Sequence, residues 1–239
     1  MAPPRYRGPD PPLRARDEEP NRNKESLHDF DRLDHLVRPL RGEFLALEPT
    51  ARELLFTAAR TPNSFTDEPV SDEQLRAIWE LAKWPPTSAN TNPMRVLYLR
   101  TEPARERLIP HLAEGNRDKS ASAPVIAVLA YDTQYTEHVP RLLPFRPEIK
   151  EMLEADPVHH QEQARFNSAL QAGYFLLSVR AAGLTAGPLG GFDAAGVDRE
   201  FFPEGRLRSF LVVNIGRPGD NPWFERLPRL EYEEAVRLI

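Results

Sequence analysis

Two short stretches concentrate the side chains that could do chemistry. Pro85-Pro-Thr-Ser-Ala-Asn-Thr-Asn-Pro93 packs Thr87, Ser88, Asn90 and Asn92 into six positions. Hydroxyl and amide groups match both donors and acceptors, so this set suits the edge of a planar heterocycle with alternating carbonyl and N–H groups. It equally suits an Asx or ST turn, in which the same side chains satisfy their own backbone. Gly183-Leu-Thr-Ala-Gly-Pro-Leu-Gly-Gly-Phe192 puts four glycines into nine residues and would let backbone approach a ligand closely. It also reads as a glycine-rich helix stop and turn. Its spacing does not fit GxGxxG and no GxxxxGK[ST] is present, so neither a Rossmann nor a P-loop phosphate cradle is supported. Arg60, Arg217, Arg226 and Arg229 are candidates for a phosphate clamp, because guanidinium offers forked donors; the alternative for each is ordinary solvation.

Other chemistries drop out by composition. The 239-residue chain has no cysteine, which removes thiol nucleophiles, thiolate zinc sites and iron-sulfur ligation together. His159-His160 with Glu162 would point in different directions on a helix, and no HExxH spacing exists, so no metal is expected. There is no GxSxG elbow and no obvious carboxylate pair. Redox chemistry would have to come from a bound cofactor. With 31 Lys+Arg against 36 Asp+Glu, net charge −5, the chain has no overall field for a polyanion, and nucleic-acid binding is not expected. Apolar runs such as Pro124 to Tyr131 fall far short of the ~20 residues of a membrane span, and no signal core follows the start. The expectation is a cytoplasmic protein without a membrane partner.

The elements that must position these residues are legible from about Leu45 onward. Residues 1–44 hold seven prolines, nine basic and nine acidic residues and few large apolar side chains, the composition of a disordered or loosely docked extension. Residues 45–239 read as one domain. Pro49 to Ala59 predicts a helix, and Ser71-Asp-Glu-Gln74 opens another with Leu75, Ile78, Trp79 and Ala82 on its buried face, ending before Pro85. Val96 to Leu99, Val125 to Ala130 and Phe210 to Ile215 predict strands, the latter two covered on both faces. His160 to Leu184 is the longest predicted helix, with Phe166, Leu170, Tyr174, Leu177 and Ala181 as its buried stripe and Gly183 as its stop. Tyr232 to Ile239 is amphipathic and reads as a segment pinned to a neighbour.

Taken in order, Ala59-Arg-Thr-Pro-Asn-Ser-Phe65, Pro86-Thr-Ser-Ala-Asn-Thr-Asn-Pro93, Ala123-Pro-Val125, Gly187-Pro-Leu-Gly-Gly-Phe192, Asn214-Ile-Gly216 and Arg226-Leu-Pro228 resemble the nitroreductase-like flavoproteins. Lys83-Trp-x-Pro-Thr-Ser-Ala-Asn90, Gly115-Asn116 with Lys119, Gly191-Phe-Asp193 and Arg226-Leu-Pro-Arg229 look closest to the malonic semialdehyde reductase (3-hydroxypropanoate dehydrogenase) subgroup. The resemblance implies an α+β fold with a central, mostly antiparallel sheet flanked by helices, a homodimer that exchanges its C-terminal segments, and one FMN per subunit at the interface. NADH or NADPH would donate hydride in a ping-pong cycle to a small-molecule acceptor: malonic semialdehyde or a related aldehyde, or a nitroaromatic or quinone. A non-catalytic flavin-binding protein is the alternative from another class.

By the same resemblance Arg60 and Thr61 match the family's N-terminal FMN motif, with Arg60 on the phosphate, and Arg226 matches the C-terminal phosphate arginine. Thr87, Ser88 and Asn90 match the segment that meets the flavin and its ribityl chain. Leu189, Gly190 and Gly191 match the loop by the reactive edge, with the Gly190 N–H facing N5. No side chain is expected to be catalytic. Two departures stand out. Asn63 replaces a cation that many members place near the N1/C2 edge, which would lower the flavin potential. Phe224 replaces a second phosphate cation, so the clamp leans on Arg60, Arg226 and, as a further candidate, Arg217.

Overall fold

The computed structural model describes residues 46–239, so the predicted extension 1–44 lies outside the described residues. The chain divides into Met1–Glu48 and Pro49–Ile239, and the second unit carries the fold. Its centre is a four-stranded sheet of β1 (Met94–Leu99), β2 (Val125–Asp132), β3 (Thr185–Leu189) and β4 (Leu207–Gly216), in the order β1-β2-β4-β3. Every pairing is antiparallel, with Met94 opposite Tyr131, Val125 opposite Ile215 and Thr185 opposite Gly216. The helices are α1 (Pro49–Arg52, running into a π-helical turn Glu53–Thr57), α2 (Asp72–Ala82), α3 (Glu102–Leu108), α4 (Glu114–Ala121), α5 (Val139–Leu142), α6 (Ile149–Glu154), α7 (Pro157–Ala181), α8 (Ala194–Phe201) and α9 (Tyr232–Ala235).

All eight residues of β2 are buried, because helices cover both faces of the sheet. Strand alternation sorts its side chains. Val125, Ala127 and Leu129 face Leu75, Ile78, Phe175 and Val179 of α2 and α7, whereas Ile126, Val128 and Ala130 face Leu108, Leu112, Val197 and Phe202. Each fully buried large aliphatic side chain contributes roughly 1.5–3 kcal/mol, so this central strand ties the two cores together. Among the described residues no helix is long and apolar enough to cross a membrane.

The predicted cap of α2 forms: Ser71 Oγ accepts from the Gln74 N–H at 3.2 Å and Gln74 Oε1 accepts from the Ser71 N–H at 2.9 Å. Leu75, Ile78 and Ala82 are buried, but Trp79 is 36% exposed, at the edge of the face that was to bury it. Gly183 adopts φ +75° and closes α7 with bonds from Gly183 N to Arg180 O and from Leu184 N to Val179 O, the paired pattern of a glycine C-terminus.

Two expectations change. The glycine-rich stretch after Gly183 is not only a turn, since Thr185–Leu189 forms β3. Thr-Ala-Gly-Pro-Leu has little β-propensity, and Pro188 is tolerated because β3 is an edge strand that can spare an N–H. The stripe predicted to be buried on α7 is turned outward. Phe166, Leu170 and Tyr174 are 62%, 41% and 44% exposed, while Ala164, Asn167, Ser168, Gln171, Ala172, Phe175, Ser178 and Val179 face the protein.

Candidate functional site

The residues singled out in the sequence gather at three places, two of them at the ends of β3. At its start a small cleft of about 160 Å³ is walled by Arg60, Arg180, Thr185, Ala186 and Trp223, with Glu53 and Ala59 beside them. Arg226 is held at this wall by donating to the Ala59 carbonyl at 3.2 Å. Neither Arg60, Arg180 nor Arg226 forms an ion pair with a described residue. Arg217 does: its Nε donates to Glu68 Oε1 at 2.7 Å, away from the cleft. Asn63 is tied to the same C-terminal stretch, its backbone N–H donating to the Pro222 carbonyl at 2.8 Å. Thr61 lies between Arg60 and this anchor, exposed.

At the far end of β3, Leu189 is buried and Gly190 is exposed. A Cβ added at Gly190 would meet nothing within 4 Å, whereas one at Gly191 would stand 2.9 Å from Asn116 Nδ2. Gly191 is fixed from behind: its carbonyl accepts from the Ala113 N–H at 3.0 Å and from Asn116 Nδ2 at 2.9 Å. Asn116, quoted in the sequence only as part of a subgroup pattern, therefore holds the loop. The open side belongs to Gly190 alone.

The third place is the loop between α2 and β1. Ala89, Asn90 and Asn92 all have positive φ (50°, 51° and 45°), a conformation that costs an L-residue roughly 1–2 kcal/mol each. Surrounding bonds hold it. Ser88 N donates to Asn167 Oδ1 at 2.7 Å, Met94 N donates to Gln171 Oε1 at 2.9 Å, and Asn90 Nδ2 donates to the Leu142 carbonyl at 2.9 Å. Within the loop, Asn92 N donates to Thr87 Oγ1 at 3.2 Å and Asn92 Nδ2 to the Asn90 carbonyl at 2.7 Å. The turn reading holds: Thr87 and Asn92 satisfy the loop, and Asn90 is tied at both ends of its amide, Nδ2 donating to the Leu142 carbonyl and Oδ1 accepting from Asn92 Nδ2 at 2.9 Å. Backbone strain of this kind clusters at ligand-handling sites. The loop borders a cleft of about 810 Å³, lined by Trp79, Lys83, Trp84, Arg95, Tyr98 and Arg141 among others, with no carboxylate among the described residues of its wall.

Sequence reasoning missed Arg180, Trp223, Asn167 and Gln171. Arg180 sits near the C-terminus of a helix, where a basic residue needs no further explanation; only the fold reveals that its side chain enters the Arg60 cleft. Burial with no compensating carboxylate pulls its guanidinium below the usual arginine value. For Asn167 and Gln171 the available signal was a pair of amides four positions apart, on one helix face, in the helix that follows His160. No cluster of His, Asp or Glu able to hold a metal exists among the described residues.

Residues 57–217 match the Nitroreductase family. A Streptomyces coelicolor protein provisionally named NADH dehydrogenase/NAD(P)H nitroreductase is 59% identical over 195 residues, covering 82% of this chain and 96% of its own. A Leptothrix cholodnii protein with the same provisional name is 44% identical, covering 81% of this chain and 98% of its own. The fold matches a nitroreductase from Exiguobacterium sibiricum solved in complex with FMN, with TM-score 0.71 and 20% identity over 78% of this chain and 96% of that one. Four antiparallel strands covered by helices, a strained polar loop before β1 and arginines gathered at one end of β3 are thus features of a chain that belongs to the nitroreductase family.

Proposed function

We propose that the protein is an FMN-dependent NAD(P)H oxidoreductase working as a homodimer by a ping-pong cycle, with a small aldehyde such as malonic semialdehyde as its acceptor. The observation that carries the reading is the layout of β3: arginines with no ion pair among the described residues at one end, an open glycine backbone at the other, along about 13 Å of edge strand. That spacing fits an elongated ligand with a phosphate at one end and a ring system at the other, so the residues present fit FMN. Bound FMN supplies hydride chemistry, taken from NADH or NADPH and given to the acceptor in turn, for which the chain has no side chain of its own.

The chain's part is binding, orientation and exclusion of water. Arg60 and Arg226 offer forked donors to a phosphate, and Gly190 leaves the space that a side chain would take open. Leu189 and Gly191 shape the end of β3 and its loop, Thr61 and Asn63 continue the segment after Arg60, and Arg217 is turned to Glu68. Thr87, Ser88 and Asn90 lie by the middle of α7. Asn167, which holds Ser88, and Arg180, in the arginine cleft, stand about 20 Å apart along that helix. Between them run the exposed Phe166, Leu170 and Tyr174. Two such protomers packed on this stripe would bring the loop of one to the glycine end of the other.

The C-terminal segment belongs to the same proposal. Phe224, Leu227, Leu230, Tyr232 and Leu238 are all exposed in the protomer, and they alternate with Glu225, Glu231, Glu233 and Glu234. Its glutamates are nearly balanced by Arg226, Arg229 and Arg237, so the exposed apolar side chains are what would pack on the aromatic cleft beside the edge strand β1 of a second copy. Cytoplasmic location, expected from the sequence, goes with the use of NAD(P)H.

The test is the purified protein itself. An oxidised-flavin absorption spectrum, a dimeric mass in solution and NAD(P)H oxidation with a higher kcat/KM for malonic semialdehyde than for a nitroarene or a quinone are expected. A colourless monomer that takes up no added FMN refutes the reading. Preference for the nitroarene or quinone would move the protein to the second activity, for which the exposed aromatic residues Trp79 and Trp84 at the large cleft offer flat apolar surface. Bound flavin without turnover of any of the three would favour the binding role.

A further inference from the structure

We infer that Arg180 is a phosphate-binding residue, the buried cation of the arginine cleft at the start of β3, and that it takes the anionic end of the cofactor together with Arg60. The inference rests on the FMN reading above and adds to it a residue that no motif in the sequence marks.

Arg180 lies one residue from the C-terminal end of α7, and its side chain crosses to the π-helical turn after α1, where Nη1 donates to the Leu55 carbonyl at 2.8 Å. That is one of the five N–H donors a guanidinium carries. None of its nitrogens is both sealed from solvent and unpaired, and the residue lines the cleft whose wall it shares with Arg60. Glu53 is the one acid on that wall, and it forms no ion pair with either arginine.

A half-buried guanidinium bonded to one neutral carbonyl is a poor end state. Burying a cation is unfavourable unless an anion or a full set of acceptors answers it, and here a second cation stands across the cleft. Contrast Arg95 and Arg206, also partly buried, which converge on Asp132 at 2.8 Å each. Among the described residues, buried arginines near the opposite edge of the sheet are answered by a carboxylate and those beside β3 are not. A phosphate supplies what is missing: two negative charges and acceptor oxygens for forked donors. At about 160 Å³ the cleft is smaller than the roughly 300 Å³ at which pockets for whole ligands begin, which suits a terminal group rather than a ring system.

Riboflavin provides the discriminating probe, because it is FMN without the phosphate. Dissociation constants for FMN and riboflavin would be measured by flavin fluorescence on the flavin-stripped full chain, in wild type, Arg180→Gln, Arg180→Met and Arg180→Lys. Arg180→Gln is expected to weaken FMN by about 10- to 150-fold, the range for a hydrogen bond to a charged group, and riboflavin by less than about twofold on the same reasoning, since it brings no charge to the cleft. Arg180→Lys is expected to restore part of the FMN preference. Arg180→Met carries the test if the glutamine variant does not fold, with the same pattern expected. FMN and riboflavin weakened in parallel would show that Arg180 acts only by anchoring Leu55, and the inference falls; an unchanged ratio in the neutral variants overturns it as well. Wild type that binds neither flavin overturns this inference and the FMN reading together, whereas wild type that binds FMN with an unaltered ratio in the variants removes only Arg180.

Discussion

Gly190 and Gly191 are adjacent, yet the structure assigns opposite consequences to the same added methyl group. At Gly190 the methyl group meets nothing within 4 Å, and the residue is not in the left-handed region, so alanine is sterically acceptable in the free protein. The unfolded chain loses freedom, which stabilises the protein by up to about 1 kcal/mol. At Gly191 the methyl group stands 2.9 Å from Asn116 Nδ2 and 3.3 Å from Ala113 Cβ. Asn116 must move, and its 2.9 Å bond to the Gly191 carbonyl goes with it, a loss of about 1 kcal/mol before any strain in the loop. For a unit of this size that lowers Tm by about 2–4 °C. The cofactor reading reverses the order: a methyl group at Gly190 projects into the space assigned to the flavin, and overpacking of about 1–3 kcal/mol weakens FMN by roughly 5- to 150-fold. Melting of the flavin-stripped protein, FMN titration and steady-state turnover together read both effects. Gly190→Ala with intact stability, weak FMN and slow turnover is expected, beside Gly191→Ala with lowered stability. A Gly190→Ala protein that binds FMN and turns over like wild type refutes the placement of the reactive edge.

Arg226→Ala is expected to weaken FMN by about 1.5–3 kcal/mol, the value for a hydrogen bond to a charged group, read by flavin retention on dilution; full occupancy would reject the phosphate role. Asp132→Asn removes the carboxylate between Arg95 and Arg206 and is expected to cost about 3 kcal/mol in urea unfolding, the lower end for a broken buried pair because both arginines keep partial exposure. Burial raises the Asp132 pKa, but the Arg206 fork, the Gln134 N–H and the Arg95 charge outweigh it and leave the carboxyl below its ordinary value. Its contribution is therefore complete above the unfolded carboxylate value near ~4 and fades as pH falls through the lower folded value, so wild type and Asp132→Asn should converge in stability only in acid. Ala89→Gly relieves a positive φ of 50° and is expected to raise Tm by about 1–3 °C, since roughly 1–2 kcal/mol of strain is offset in part by glycine's added unfolded freedom; a lowered Tm would show that the Ala89 methyl group packs usefully.

The fold was most legible where one residue pattern has one physical meaning. Ser71 and Gln74 announce a capping box and form it, and Val125 to Ala130 announces a strand covered on both sides and is one. β3 was not legible, because Thr185–Leu189 is held as a strand by its register against Val212 to Gly216 rather than by its own preferences. At the site, residue types gave candidates, but only the fold shows that Arg180 reaches the Arg60 cleft from 120 positions away, and that Arg217 turns to Glu68.

The face that α7 turns inward within the single chain is the most informative of these differences. Apolar periodicity assumes that the buried side of a helix is the apolar one. Here the loop from Ser88 to Met94 presents backbone N–H groups with no strand or helix to pair them, and a buried donor left unpaired costs about 1–3 kcal/mol. Asn167 and Gln171 meet two of these donors, at 2.7 and 2.9 Å, which fixes the rotation of the helix about its axis. Once they point inward, Phe166, Leu170 and Tyr174 must point out. The requirement to satisfy a strained loop therefore leaves the apolar stripe exposed, and substituting Asn167 should disturb both together. In Asn167→Leu the Ser88 N–H loses its acceptor, the loop relaxes, and FMN affinity is expected to fall along with dimer stability, read by flavin titration and sedimentation. Loss of one without the other would separate the loop from the stripe and undo the link.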